Sequence, residues 1–415
     1  MTPTSAATRP ASPMGQVARG VYAPALVFEI GVGAIVPIIP LSAVHLGGNL
    51  AVAGLLVAML GVGQIAGDVP AGALAARIGD RRAMLIAAGL SVLALAGCAL
   101  APNLWVLAIG VAAVGATNAV FTLARQAYLT EVIPVMKRAR ALSTLGGVQR
   151  IGAFLGPFLG AAVVRGLDLS AVFWLAVITS LLAGVVVLVV PDVAGAETIR
   201  RRQATPVALR TVLRQNARVF ATLGFAALAV GAVRASRQVV LPLWSAHLGF
   251  SPATTSIVFG ISGAVDMLLF YPAGKVMDRR GRLWVAIPSM LILGGAILAL
   301  PFTATLAGVT AAAMVMGLGN GIGSGILMTL GADVAPGAVR AQFLGIWRLF
   351  SDAGTAAGPL VVAAGAALGS LAAGIAAMGG VGLLATAGLA LWVPRWSIHA
   401  NATTRRRAAE RARGA

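Results

Sequence analysis

Nine ionisable side chains stand inside otherwise apolar stretches: Glu29, Asp68, Asp266 and Asp352, together with Arg125, Arg150, Arg234, Arg237 and Arg348. Carboxylates so placed can carry protons, and guanidiniums can hold anions or fix carboxylates. Unpaired and facing lipid, at about 2.5 to 3.5 kcal/mol each, the nine would cost roughly 20 to 30 kcal/mol, more than a fold absorbs. They must pair with one another or line water. Arg348 and Asp352, four apart, suit an ion pair on one helix face. Arg234 and Arg237, three apart, make a double positive face that needs an acid such as Asp266 or an anionic ligand. Glu29 and Asp266 have no basic neighbour on their own helix, which makes them the expected protonation sites; Asp68 and Arg125 are further candidates for proton coupling. Arg150, Asn118 and Asn320 join Arg234, Arg237, Arg348 and Asp352 as candidate cavity residues. Each charge has a structural alternative, an ion pair that only ties helices together.

The elements that carry these residues are twelve apolar stretches, near 20–45, 51–75, 83–101, 104–128, 141–164, 170–190, 218–244, 253–275, 284–303, 305–330, 341–364 and 370–393. Each is long enough to cross a bilayer. Only 10% of the 415 residues are charged, 59% are hydrophobic and the mean hydropathy is +0.93, so polar surface is too scarce to coat a soluble globule. The third, sixth, ninth and twelfth stretches hold no ionisable group other than Cys98 and are expected to face lipid. The others would enclose a polar cavity, the tenth adding a Gly-rich face from Gly317 to Gly325. No cleavable leader is read in the segment before Arg19, which lacks a compact apolar run.

The net charge of +19 would suggest nucleic acid in a soluble protein, but its distribution is one-sided. Arg77, Arg81 and Arg82, then Lys137, Arg138 and Arg140, then Arg200 to Arg218, then Lys275 to Arg282, and finally Arg405 to Arg413 fall in alternate connections and the tail. The intervening connections lack Lys and Arg except for Arg165. This asymmetry puts both termini in the cytoplasm. The basic tail serves as a topology determinant or touches anionic lipid.

A fixed offset of 202 residues superposes the two halves without a gap. Pro40-Leu41 meets Pro242-Leu243, His45-Leu46-Gly47 meets His247-Leu248-Gly249, Asn118 meets Asn320, and Gly152, Gly156 and Pro157 meet Gly354, Gly358 and Pro359. Each half holds six spans, so the two insert in the same orientation as parallel repeats. The expected division is a cytoplasmic segment 1–19, a six-helix bundle 20–190, a linker 191–217, a second bundle 218–393 and a basic tail 394–415. Two such bundles can rock about a site between them.

Basic motifs follow the second and eighth spans. The second copy, Gly274-Lys-Val-Met-Asp278-Arg279-Arg280-Gly281-Arg282, fits the loop consensus of the major facilitator superfamily. The first, from Gly72 through Arg77 and Gly79 to Arg81 and Arg82, carries Ala76 where the consensus has an acid. With twelve spans in two parallel halves, the chain resembles that superfamily over nearly its whole length. The resemblance implies an all-α membrane fold of two pseudo-twofold-related six-helix bundles. It also implies a cytoplasmic gate at these motifs, with Asp80 or Asp68 as stand-ins for the missing acid. The fifth span, Gly152-Ala-Phe-Leu-Gly156-Pro157-Phe-Leu-Gly160-Ala161, is similar to the helix-bend motif of the drug–proton antiporter branch, although plain helix packing uses the same residues. Arg125 stands where many antiporters of that branch carry a basic residue tied to proton movement.

The expected function is secondary active efflux of small amphipathic compounds, driven by protons. One proton crossing 100 mV supplies about 2.3 kcal/mol, enough for roughly a fortyfold gradient. The alternative is uptake or exchange of an anionic or sugar-like metabolite, for which Arg125, Arg234 and Arg237 speak. No catalytic motif, metal cluster or phosphate loop is present, so no enzyme activity, cofactor or metal is expected. The expected partners are a small-molecule substrate, protons and membrane lipid, with no nucleic acid, around a monomer in the inner membrane.

Overall fold

The computed structural model describes residues 18–132, 135–190, 209–336, 339–404, 406–407 and 410. The expectations for the first 17 residues, for most of the linker and for Arg405, Arg411 and Arg413 lie outside that set. Among the described residues there are twelve helices long and apolar enough to span a membrane: α1 Gly20–His45, α2 Leu50–Asp68, α3 Asp80–Ala99, α4 Leu104–Leu129, α5 Thr144–Gly166, α6 Leu169–Val189, α7 Ala217–His247, α8 Pro252–Leu269, α9 Leu283–Phe302, α10 Leu306–Val334, α11 Phe343–Ala367 and α12 Leu371–Trp396. The helix of α2 runs on to Ile78 and that of α8 to Arg280, so both carry their basic motifs as helical extensions.

Within a half, small residues set the packing, because apolar lipid gives helices no hydrophobic reason to associate and close backbone contact must do it. Gly156 of α5 lies against α1 so tightly that a Cβ there would stand 2.5 Å from the Ala34 nitrogen and the Ile30 oxygen. Gly152 faces Glu29 and Gly160 faces Ala34 in the same seam, and the repeat mate Gly358 meets Ala232 of α7. Gly152, Gly156 and Gly160 thus pack α5 against α1, and Pro157 lies inside one continuous helix from Val135 to Gly166.

Two seams join the halves, α2 against α11 and α5 against α8. A Cβ on Gly61 of α2 would come within 2.9 Å of the Ala356 Cα on α11, and one on Gly260 of α8 within 2.7 Å of the Phe158 ring on α5. The end of α1 also touches α7. These contacts lie in the half of the bundle nearer the connections that lack Lys and Arg, where one apolar core runs through both repeats. The helices α3, α6, α9 and α12, whose apolar stretches 83–101, 170–190, 284–303 and 370–393 hold no charge, carry the exposed side chains Leu93, Leu188, Leu291 and Leu384, as expected of helices turned to lipid.

The tenth span departs from expectation. It is two helices, Leu306–Ile322 and Ile326–Val334, separated at Gly323 to Gly325, with Gly325 at φ +77°. Replacing Gly156 by Ala should lower the melting temperature of the detergent-purified protein, since overpacking typically costs about 1–3 kcal/mol. Gly146→Ala, at a site where a Cβ meets nothing within 4 Å, should not. Equal melting temperatures for the two variants would refute this account of the α1–α5 seam.

Candidate functional site

Between the halves, at mid-depth, lies a cavity of about 290 Å³. Glu29 of α1, Gln64 of α2, Asn118 of α4, Arg150 of α5, Arg237 of α7 and Asp266 of α8 contribute its polar wall, with Phe154, Phe259 and Met267 among its apolar lining. With Thr355 and Pro359 of α11 in the lining as well, seven helices from both halves converge on one polar space, as the distribution of charge along the sequence required.

The nine intramembrane charges sort into three groups. In the first, Arg125 is wholly buried, its Nη2 3.5 Å from Glu29 Oε1, an ion-pair distance longer than a well-formed hydrogen bond. Its guanidinium also lies 5.5 Å from the Phe121 ring centroid, and its three nitrogens have no other hydrogen-bond partner among the described residues. The same Glu29 oxygen accepts from Gln149 Nε2 at 3.0 Å.

In the second group Asp266 is shared. Arg150 Nη1 stands 3.2 Å from its Oδ1 and Arg237 Nη2 3.6 Å from its Oδ2, and Asn320 Nδ2 donates to Oδ2 at 2.5 Å. Arg150 also donates to Ser324 Oγ, and Arg237 to Ser262 Oγ at 3.1 Å. Arg234 meets only neutral acceptors, Asn320 Oδ1 at 2.9 Å and the Gly323 carbonyl at 3.2 Å. That carbonyl lies where α10 breaks and accepts also from the Ile326 amide at 3.3 Å, and the break supplies both the oxygen for Arg234 and the hydroxyl for Arg150.

In the third group Arg348 serves two acids, Asp352 on its own helix at 3.3 Å and Asp68 on α2 at 3.2 Å. The expected intrahelical pair is present, and its link to α2 adds a bond across the halves. Arg150–Asp266 is the matching bond across the other seam. Glu29 and Asp266, which have no basic neighbour on their own helices, meet arginines of other helices, Arg125 for Glu29 and Arg150 with Arg237 for Asp266.

The loop motifs are gathered at the basic end. Arg282 reaches Asp333 at the end of α10 through Nε–Oδ2 at 2.9 Å and Nη2–Oδ1 at 3.3 Å, and Asp278 at 3.4 Å. Burial opposes its charge, but the bonds and charge of Asp333, then of Asp278, outweigh that and raise its pKa above the usual arginine value. Gly281, at φ +108°, lets the turn pass against Ala400 and Asn401. In the first copy Arg81 donates to the carbonyls of Val187, Leu188 and Val190 at the end of α6, including one of 2.6 Å, a capping role the sequence reading missed. Gly79 turns at φ +87°, while Arg77, Arg82 and Arg279 are exposed. Of the two acids offered as stand-ins at Ala76, Asp80 is buried and Asp68 bonds Arg348 of the other half. Among the described residues no group of three or more His, Cys, Asp or Glu could hold a metal.

Glu29→Gln alone would strand a buried guanidinium, a loss of about 3–5 kcal/mol. It should sharply depress the melting temperature, and Glu29→Gln combined with Arg125→Met should recover most of the loss. A double variant no more stable than the single one would show that Glu29 and Arg125 are not energetically coupled.

The Major Facilitator Superfamily model matches residues 25–359 and, in an overlapping second match, 223–413. Among curated proteins, the multidrug resistance protein MdtG of Proteus mirabilis (strain HI4320) is 26% identical over 153 residues, and that of Salmonella heidelberg (strain SL476) 28% over 152. Each alignment covers 36% of this chain and 38% of the relative, so the chain matches under two fifths of these relatives' length. Among solved structures, a POT family transporter in complex with a thioalcohol-conjugated peptide superposes with TM-score 0.76 at 14% identity, over 92% of this chain and 96% of that one. The nucleoside transporter NupG gives 0.73 at 13%, over 91% and 98%, and a D-xylose-proton symporter 0.68 at 17%, over 92% and 98%. At such identities the structures speak to fold alone, which is twelve helices in two parallel six-helix bundles. With the family match running from Ala25 to the tail and twelve candidate spans among the described residues, this chain is a multi-pass membrane protein that belongs to the major facilitator superfamily.

Proposed function

We propose that the chain is a proton-coupled exporter of small amphipathic compounds that works by alternating access at the central cavity. It sits in the cell membrane as a monomer with both termini in the cytoplasm. In this reading the bundles 20–190 and 218–393, joined by the linker 191–217, rock against each other. The partial likeness to multidrug resistance proteins and the amphipathic cavity wall support export of such compounds. The one-sided basic loops support the orientation.

The observation that carries the proton coupling is the pairing pattern. Arginine keeps its charge in proteins. Neutralising Glu29 would therefore leave Arg125 buried without a counter-charge, and neutralising Asp266 would leave Arg150 and Arg237 without theirs. Among the nine intramembrane charges, only Asp68 and Asp352, two carboxylates on the one cation Arg348, allow one acid to take a proton while the other still balances the arginine. The proton site of this reading is accordingly the Asp68–Arg348–Asp352 group, with Glu29 and Asp266 holding fixed charges in place. Asp68–Arg348 also crosses the α2–α11 seam, so its protonation would loosen a bond that has to open when the bundles rock.

Inverted vesicles bearing the protein, with an imposed pH gradient, should lose part of that gradient when a panel of fluorescent amphipathic solutes is added. In Asp68→Asn/Asp352→Asn the response should fall at least about tenfold, equivalent to roughly 1.4 kcal/mol of coupling, while solute exchange without a gradient persists. An undiminished response in that double variant would reject the site, and no response in the parent protein would reject proton-driven export.

A further inference from the structure

The charges around the cavity do not balance. Arg150 and Arg237 share the single carboxylate of Asp266, and Arg234, one turn from Arg237, is held by the neutral oxygens of Asn320 and Gly323. The Gly323 carbonyl belongs to the C-terminal end of the first part of α10, where aligned peptide dipoles supply roughly half a negative charge. Three guanidiniums thus face one carboxylate and one helix end. The remaining acid on the cavity wall, Glu29, is committed to Arg125. Between one and two positive charges, roughly one and a half, are left over beside the cavity, and unlike a surplus carboxylate they cannot be relieved by moving a proton. A charge of this kind in a low-dielectric interior calls for a counter-ion.

The placement says which surface presents that charge. The Arg237 side chain is 11% exposed and lines the cavity, its guanidinium 5.7 Å from the Phe259 ring centroid. Phe154 stands on the same wall, beside Phe158 with the rings 5.3 Å apart. We propose that the cavity takes a monoanionic amphipath, an organic acid of one or two rings. Its head group sits against Arg237 and Arg150, and its apolar body against Phe154, Phe259 and Met267. This inference rests on the reading that the cavity is the solute site, and it narrows the solute to organic acids over the amines and neutral compounds the same cavity volume would admit.

Three probes with one ring system separate charge from shape: 1-naphthoate, 1-naphthamide and 1-naphthylmethylamine, titrated into the purified full-length protein by calorimetry. Naphthoate should bind at least about tenfold more tightly than the other two, the yield of one charge-assisted contact. Arg237→Gln should weaken naphthoate by a similar factor while leaving the amide unchanged, and Arg237→Lys should restore part of the loss. Melting temperatures confirm that each variant is folded. Asn118→Trp, which fills the cavity, should abolish binding of naphthoate.

Amide or amine binding as tight as the acid, and blocked by Asn118→Trp, would overturn the anion preference while leaving the cavity as the solute site. Binding of all probes untouched by Asn118→Trp would remove the cavity reading and the inference with it. No binding of naphthoate at millimolar concentration, or naphthoate affinity unchanged in folded Arg237→Gln, would also overturn the proposal.

Discussion

An arginine inside a membrane protein keeps its proton, so its counter-charge must be built into the fold or arrive from outside. Five such arginines set the terms for this chain. Arg125 fixes Glu29 to the α1–α4–α5 side of the first bundle, Arg150 and Arg237 converge on Asp266, Arg348 holds two acids, and Arg234 takes a helix end. Because the acids lie on different helices from most of their partners, the pairs also dictate which helices adjoin. Replacing such pairs by apolar residues is often neutral or stabilising in other proteins. Their presence in so apolar a chain is therefore better explained by what a charge can do than by the stability it adds.

The duplicated sequence makes the two seams geometric equivalents, yet the charges crossing them have diverged. Under the repeat, Arg150 falls on Asp352 and Asp266 on Gln64, so the bond of one seam has no direct copy in the other. The second seam rebuilds its bond with Arg348 and Asp68, each displaced four residues toward the basic end, about 6 Å along a helix. The shift is the same on both partners, which is why they still meet. The chemical result is opposite. One seam has surplus cation and the other surplus carboxylate, so only the second can discharge itself with a proton.

Much of this was legible in the sequence, because it follows from periodicities and one-dimensional charge. Twelve apolar stretches, the offset of 202 residues and the need for buried charges to face inward all depend on composition along the chain, and the helices α1 to α12 fall within a few residues of the expected spans. The Arg348–Asp352 pair was readable because both residues share a helix face, and Asp266 as a partner of Arg237 because few acids were available. What spacing does not encode is azimuth and cross-helix distance. The pairing of Glu29 with Arg125 and of Asp266 with Arg150 was hidden for that reason, as was the second partner of Arg348 on α2. The break in α10 was missed too: glycines from Gly317 to Gly325 read as a smooth packing face, and only the demand of Arg234 and Arg150 for an oxygen each marks Gly323 to Gly325 as the place where the helix stops.

The seams give a route by which proton and solute would speak to each other without touching. Arg150–Asp266 and Asp68–Arg348 bridge the two different seams, and in the proposed rocking of bundles packed by backbone contact at residues such as Gly156 and Gly358 the two seams part together. A proton on Asp68 or Asp352 weakens one bond, and an anion at Arg237 and Arg150 competes with Asp266 for the other. In the proposed reading either event alone makes the same opening less costly, as an exchange of proton for solute requires. On this view the coupling needs no chain of residues between the two sites. It needs only that the halves be stiff and that the two bonds they share be of different chemical kinds.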